Sequence, residues 1–192
     1  MLITLNCPKC RENLEGANNS KLFFCKACNL VYDVSDSKPK RYDLFYISPK
    51  IKREHSMIYF PFWQIYSRYQ IRVTGKPEED FQARLFYVPA FFIKNINYFG
   101  DIGYYIMANN IVLKTGEKAD LPVFPGDRGL SDSIVYPRIY LVMETAQKSR
   151  NEEMDINIDH KEVSVALIPF YQVEKDFYDS VINWKYPSGA LI

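Results

Sequence analysis

Two closely spaced pairs of cysteines constrain this chain more than any other feature of its sequence. The pairs are Cys7–Cys10 and Cys25–Cys28, each with two residues between its members and with fourteen residues between the pairs. The 164 residues that follow Cys28 contain no cysteine. A tetrahedral metal site needs four soft ligands, and each C-x-x-C turn directs two thiolates to one side of the metal. The spacing therefore predicts a zinc site formed by Cys7, Cys10, Cys25 and Cys28.

Two other states of these cysteines, two disulfides or four free thiols, are disfavoured. Two disulfides would suit a secreted protein, but the sequence begins without the basic and apolar regions of a secretion signal. Four unrelated free thiols would not be grouped in two pairs. Four thiolates also fill every position around a tetrahedral ion, so the expected role of the metal is structural and not catalytic.

The segment from Leu5 to Val34 resembles the zinc ribbon family. The matching positions are Leu5, Cys7, Pro8, Lys9, Cys10, Leu14, Phe24, Cys25, Cys28 and Tyr32. This resemblance implies a small hairpin module that binds Zn²⁺ through the four cysteines. A rubredoxin-type iron site is the competing interpretation, but glycine usually follows a rubredoxin knuckle, whereas Arg11 and Asn29 stand here. The pairing of this segment with the later segments YFPFW (59–63) and YVPAF (87–91) also resembles uncharacterised bacterial zinc-ribbon proteins, a resemblance that implies no activity.

Composition and charge exclude several classes of protein. The chain has 192 residues, 47% of them apolar and 24% charged, which is typical of a globular protein with a real core. No stretch is long and apolar enough to span a membrane, so a cytoplasmic location is expected. Residues 1–54 carry ten basic against six acidic side chains, but four zinc-bound thiolates would leave this part only weakly basic. Charge alone therefore does not predict nucleic-acid binding.

The pattern along the chain predicts an α+β fold in three parts. Residues 1–34 are the ribbon, 35–56 a polar, basic linker, and 57–192 an α+β domain with a mostly antiparallel sheet and about two helices. Alternating side chains predict strands over 57–73 and 82–88, joined as a hairpin. Further expected elements are a helix from Pro89 to Met107, a strand over 110–114, and a second helix that starts at Ser131 or Tyr136 and ends near Ser149. An acidic loop over 151–160, strands over 162–173 and 177–184, and a turn over 186–189 are expected after it.

Two further patterns bear on the α+β domain. The predicted helix over 136–149 would bury Ile139, Leu141, Val142, Thr145 and Ala146. The six residues 60–65, FPFWQI, are echoed by 168–173, IPFYQV, which is compatible with an internal duplication of a β unit. Pro61 and Pro169 would then mark an edge or a bulge at equivalent places.

The remaining residues do not assemble into an evident catalytic site. The two histidines, His55 and His160, are expected on the solvated surface, and no glycine-rich phosphate loop or small-molecule site is evident. Aromatic residues make up 16% of the chain, which suits cores and protein interfaces. The expected function is a non-enzymatic zinc-binding scaffold or adaptor with a protein partner. The alternative is a nucleic-acid-binding accessory protein, and the candidate interaction residues are Lys50, Lys52, Arg53 and Trp63. An enzyme with its site in the larger domain is a third, less favoured interpretation.

Overall fold

A mostly antiparallel sheet with helices against it forms the computed structural model of this chain, which describes residues 5–77, 80–94, 102–148, 153–187 and 189. The strands are β1 (Leu22–Cys25), β2 (Leu30–Asp33), β3 (Lys40–Tyr46), β4 (Met57–Val73), β5 (Gln82–Pro89), β6 (Met154–Val173), β7 (Asp176–Asp179) and β8 (Lys185–Pro187). The helices are α1 (Ile102–Ala108), the four-residue α2 (Leu130–Ser133) and α3 (Tyr136–Lys148). The predicted α+β class is confirmed.

Strand β3 connects the cysteine-bearing end to the larger sheet. The strand order is β1-β2-β3-β6-β4-β5, with β7 and β8 following on the outer side of β6. The first half of β3 pairs antiparallel with β2, and its second half pairs parallel with β6. Residues 40–46 are thus a sheet strand within the stretch predicted to be a linker. The sequence did not show this because β3 is polar at its start and buries only Leu44 and Tyr46 at its end.

The two longest strands, β4 and β6, pair antiparallel at the centre of the sheet. Their pairing relates one strand to the other by an approximate local two-fold axis. Phe60 pairs with Ile168, and these are also the first residues of the two echoed segments. The amide of Ala90, just after β5, donates to the Pro61 carbonyl, and the amide of Ser180, just after β7, donates to the Pro169 carbonyl. Among the described strands, none pairs with the outer edge of β4 at Pro61 or of β6 at Pro169, as expected for residues without an amide hydrogen. An internal duplication would give this arrangement and stays a prediction.

Both faces of the main sheet are buried, which explains why β4 and β6 contain continuous apolar runs. One face carries Trp63, Ile65, Phe86, Val165 and Leu167, and it packs against α3 and against residues from β1 and β2. The other face carries an aromatic cluster that includes Phe60, Phe62, Phe91 and Phe170. The rings of Phe60 and Phe170 lie 4.2 Å apart between centroids. The cysteine-bearing end therefore shares a hydrophobic core with the larger sheet.

Several predicted elements require correction. The helix expected from Pro89 begins later, because Pro89 ends β5 and the described part of the helix is Ile102–Ala108; residues 95–101 lie outside the described residues. The stretch 110–114 contains no strand. The acidic loop expected over 151–160 is β6 from Met154 onward, and its first two residues lie outside the described part. The strand expected over 177–184 is β7, which already ends at Asp179. The turn expected over 186–189 overlaps β8, which ends at Pro187, and residue 188 lies outside the described residues.

The face that α3 buries also differs from the prediction. Leu141 and Thr145 are buried as expected, together with Tyr140. The other three predicted residues, Ile139, Val142 and Ala146, lie on the exposed side. The helix has apolar residues on two faces, so periodicity alone could not identify the buried one. Among the described residues, no helix is both long and apolar enough to cross a membrane.

Candidate metal centre

Two turns of similar design hold the four cysteines. The first follows Cys7, where the amide of Arg11 donates to the Cys7 carbonyl at 2.8 Å and the Cys7 amide donates to the Glu12 carbonyl at 2.8 Å. The second connects β1 to β2, because Cys25 ends β1 and pairs with the first residue of β2. The residue after each turn, Arg11 or Asn29, has a positive φ angle, 66° and 51° respectively. The two C-x-x-C motifs thus close in the same way.

The four sulfur atoms lie at the separations that a single metal ion requires. All Sγ atoms are within 4.8 Å of one another, and those of Cys10 and Cys25 are 3.5 Å apart. Ligands at a Zn–S distance of about 2.3 Å in a tetrahedron lie about 3.8 Å apart. The cluster fits one metal ion with four thiolate ligands, and Cys7, Cys10, Cys25 and Cys28 are the residues that would hold it.

The cluster is buried on one side and accessible on the other. Cys7 and Cys25 are 1% and 0% exposed, whereas Cys10 and Cys28 are partly exposed. Leu14, Leu30 and Tyr32 pack around the sulfurs in a small core of their own. The hydroxyl of Tyr32 lies 3.4 Å from the Cys7 sulfur, which completes the support for this ligand.

Burial and hydrogen bonding set the protonation of the Cys7, Cys25 and Cys28 thiols. Burial disfavours the thiolate of Cys7, but bonds from Tyr32 and from the amides of Cys10 and Lys9 outweigh it and lower the pKa of Cys7 to about 6. Burial raises the pKa of Cys25 to about 12, and the bond with Cys10, followed by burial, raises the pKa of Cys28. Burial and the bond to Cys7 likewise raise the pKa of Tyr32 to about 12. A bound metal must therefore displace protons from at least Cys25 and Cys28 at neutral pH.

The candidate interaction residues do not belong to the small core around the cysteines, and not all of them are on the surface. Lys50 and Lys52 are exposed in the segment before β4. The guanidinium of Arg53 lies 4.9 Å from the centre of the Tyr178 ring and is hydrogen-bonded to Asn183. Trp63 is fully buried, and its indole nitrogen donates to the Arg128 carbonyl at 3.1 Å. Its side chain is therefore not presented to a partner.

The sequence did not reveal two contacts that support the metal site, nor the hydrogen bond of His160. The Tyr32 hydroxyl supports a ligand, which the period-two pattern of β2 could have indicated, since Leu30 and Tyr32 face the cluster. The Lys118 ammonium donates to the carbonyl of Lys26 in the second turn at 2.8 Å, a contact across 92 residues that no local pattern reveals. His160, expected on the solvated surface, is half-buried in β6 and bonded to Ser67 at 2.8 Å.

No protein family, curated protein or solved structure was found to match this chain. What the geometry supports by itself is a cysteine cluster of the C-x-x-C type that could hold a metal ion.

Proposed function

We propose that this protein is a non-enzymatic, zinc-binding scaffold or adaptor that docks a protein partner within a larger assembly. The observation that carries the proposal is the closed set of four cysteine sulfurs within 4.8 Å of one another. Four thiolates leave no position for water or substrate, so the ion would stabilise structure and supply no reaction step. A reducing, cytoplasmic setting would keep these thiols available to a metal.

Zinc is proposed over iron because of the ligand surroundings as well as the ligands. Both ions accept four thiolates, and zinc is the usual choice where no electron transfer is needed. The positions after the two turns are occupied by Arg11 and Asn29 instead of the glycine typical of rubredoxins. The zinc form would be colourless, whereas an iron–thiolate form would absorb visible light.

The exposed face of α3 supports the docking part of the proposal. Ile139, Val142 and Met143 of α3 are 43%, 40% and 40% exposed, and Val135, just before the helix, is 52% exposed and continues their spacing. An apolar stripe at this exposure is typical of a surface that a partner covers. The stripe is distinct from the buried face of the same helix, which carries Leu141.

The test is capture of complexes on the full-length protein from its own cells, before and after nuclease treatment, with metal analysis of the same sample. The expected result is one zinc per chain and a stoichiometric protein partner that survives nuclease. The double variant Ile139→Glu/Met143→Lys should lose this partner and retain its zinc. The matched control is Arg138→Gln, an exposed position beside the stripe on the same helix, and it should retain both.

Other outcomes of that experiment contradict the proposal in separate ways. A partner that disappears after nuclease would favour the nucleic-acid alternative, which would then be tested by neutralising Lys50, Lys52 and Arg53 and by measuring the salt dependence of binding. A partner that the stripe variant retains would remove α3 from the docking surface. A chain that carries no zinc would contradict the metal-binding part.

A further inference from the structure

A long irregular segment between α1 and α2 makes hydrogen bonds both to the main sheet and to the cysteine-bearing end. Residues 109–129, all within the described part of the chain, separate α1 from α2 and form neither helix nor strand. Irregular loops longer than about 12 to 15 residues are uncommon in compact domains and usually have a function. We call residues 114–130 the strap.

The strap is bonded to the cysteine-bearing end around positions 118–120, where Asp120 also accepts from the Lys26 ammonium at 3.4 Å, at 126 and at 130. The bonds run from the Lys118 ammonium to the Lys26 carbonyl (2.8 Å), from the Lys21 and Leu22 amides to the Gly126 carbonyl (2.7 and 2.9 Å), and from the Leu130 amide to the Asp33 carboxylate (2.8 Å). Lys26 lies between two of the cysteines, so the first of these bonds is made to the metal-binding turn itself.

The strap is bonded to the main sheet at two intervening places. The bonds run from the Tyr59 amide to the Pro122 carbonyl (2.9 Å), from the Phe124 amide to the Tyr59 carbonyl (2.7 Å), from the Arg128 amide to the Ala90 carbonyl (3.0 Å) and from the Trp63 indole to the Arg128 carbonyl (3.1 Å). Tyr59 and Trp63 belong to β4, and Ala90 follows β5.

These contacts alternate along the strap. Position 118 bonds to the cysteine-bearing end, 122 and 124 to the sheet, 126 to the cysteine-bearing end, 128 to the sheet, and 130 again to the cysteine-bearing end. Successive contacts are only two to four residues apart along the strap. The strap therefore cannot separate from the cysteine-bearing end without also changing its hydrogen bonds to the sheet. Leu22, Phe24 and Val31 also share a core with Trp63. The strap and the two parts that it joins are therefore mechanically coupled.

We propose that zinc at the four cysteines controls whether the strap is seated over the Trp63 face of the main sheet. The proposal rests on the metal-binding part of the proposed function. The core around the sulfurs is only Leu14, Leu30 and Tyr32, so the two C-x-x-C turns depend on a metal to keep their shape. Loss of the metal would open the second turn, which joins β1 to β2 and accepts the Lys118 bond, and the alternating contacts would pass this change to Arg128 and Trp63. Zinc availability would thereby change the surface of the larger domain.

Amide hydrogen exchange on the full-length protein tests this directly. The zinc-loaded protein, with its zinc content measured beforehand, is compared with the same sample after EDTA. We expect the amides of Phe124 and Arg128 to lose protection together with those of Cys7 and Phe24. Exchange that extends into β4 and β6 would support the same coupling. Retained protection at Phe124 and Arg128, with loss confined to the cysteine-bearing end, would overturn the proposal.

A variant far from the cysteines provides a second test, because coupling between two sites is reciprocal. Trp63→Phe removes the indole bond to Arg128 and should raise the zinc dissociation constant about fivefold, the effect of one lost hydrogen bond. The control is Trp184→Phe, whose ring packs on Tyr105 with centroids 4.8 Å apart, outside the strap. Both constants are measured by competition with a chromogenic chelator. Equal zinc affinities in the two variants would overturn the coupling, and absence of zinc binding in the unmodified chain would instead contradict the proposed function.

Discussion

Arg11 and Asn29 perform the same conformational task at the ends of the two C-x-x-C turns, but they are not equally suited to it. Both have positive φ angles, in the region where asparagine is tolerated and a long side chain is not favoured. The Arg11 amide is bonded to the Cys7 carbonyl, so its backbone cannot relax without opening the turn. Arg11 is exposed, so replacing its side chain tests the backbone conformation without disturbing the core.

We predict that Arg11→Gly raises the free energy of unfolding of the zinc-loaded protein by about 0.5 kcal/mol. Relief of a left-handed residue gives about 1 kcal/mol or more, and the greater freedom of glycine in the unfolded chain offsets part of it. The matched control is Arg11→Ala, which removes the same side chain but retains the strain, and it should give no gain. The measurement is denaturant unfolding of both variants, and equal stabilities would contradict the backbone explanation.

His160 gives the fold a dependence on mild acid. Burial lowers the pKa of His160 below its usual value of 6.5, with Asp159 opposing the shift, and the ring accepts or donates a bond at Ser67. Because the unfolded chain binds this proton more readily, the contribution is complete above pH 6.5 and is lost as the pH falls through 6.5 towards the folded-state pKa. His160→Gln should therefore weaken the decrease in stability between pH 7.5 and 5.5, measured by urea unfolding. Parallel pH profiles for the two proteins would exclude His160 as the source.

Among the elements, the contact between α1 and β5 requires a glycine at one position of the helix. Gly103 in α1 packs so closely on the carbonyl of Tyr87 that a Cβ atom would overlap it. Helix α1 can lie against the end of β5 only because this residue is glycine, and its neighbours Ile102 and Ile106 are then fully buried.

We predict that Gly103→Ala lowers the free energy of unfolding by about 3 kcal/mol, because backbone must move to admit the methyl group. The control is Gly189→Ala, where a Cβ atom would meet nothing within 4 Å and which should leave stability unchanged. The measurement is the stability of the two variants in thermal unfolding. A Gly103→Ala protein that is as stable as the control would show that α1 is free to shift.

The sequence predicts those elements in which the local pattern and the tertiary environment agree. Strand β4 and the hairpin with β5 follow from alternation, and α3 follows from helical spacing. The first half of β6 was missed because its acidic residues resemble a loop, although Met154, Ile156 and Ile158 alternate with Asp155, Asn157 and Asp159. The buried face of α3 and the sheet role of β3 depend on neighbours distant in the chain, which local patterns do not contain.

At the scale of the whole molecule, the four cysteines could be chosen from their spacing alone, because a metal site of this type is built from two short turns. What the spacing could not predict is how that site is joined to the rest. The strap contacts span long sequence separations and use backbone groups, as in the bond from the Leu130 amide to Asp33. The cysteine-bearing end and the α+β part therefore share one core and one connecting segment.

Zinc coordination by the four cysteines is tested most directly by X-ray absorption at the zinc edge of the full-length protein, combined with its metal content. We predict one zinc per chain with four sulfur neighbours at about 2.3 Å. Each of the single variants Cys7→Ser, Cys10→Ser, Cys25→Ser and Cys28→Ser should reduce that sulfur count or lose the metal. A site with oxygen or nitrogen ligands in the unmodified protein, an iron–thiolate spectrum, or a chain without metal would contradict this prediction.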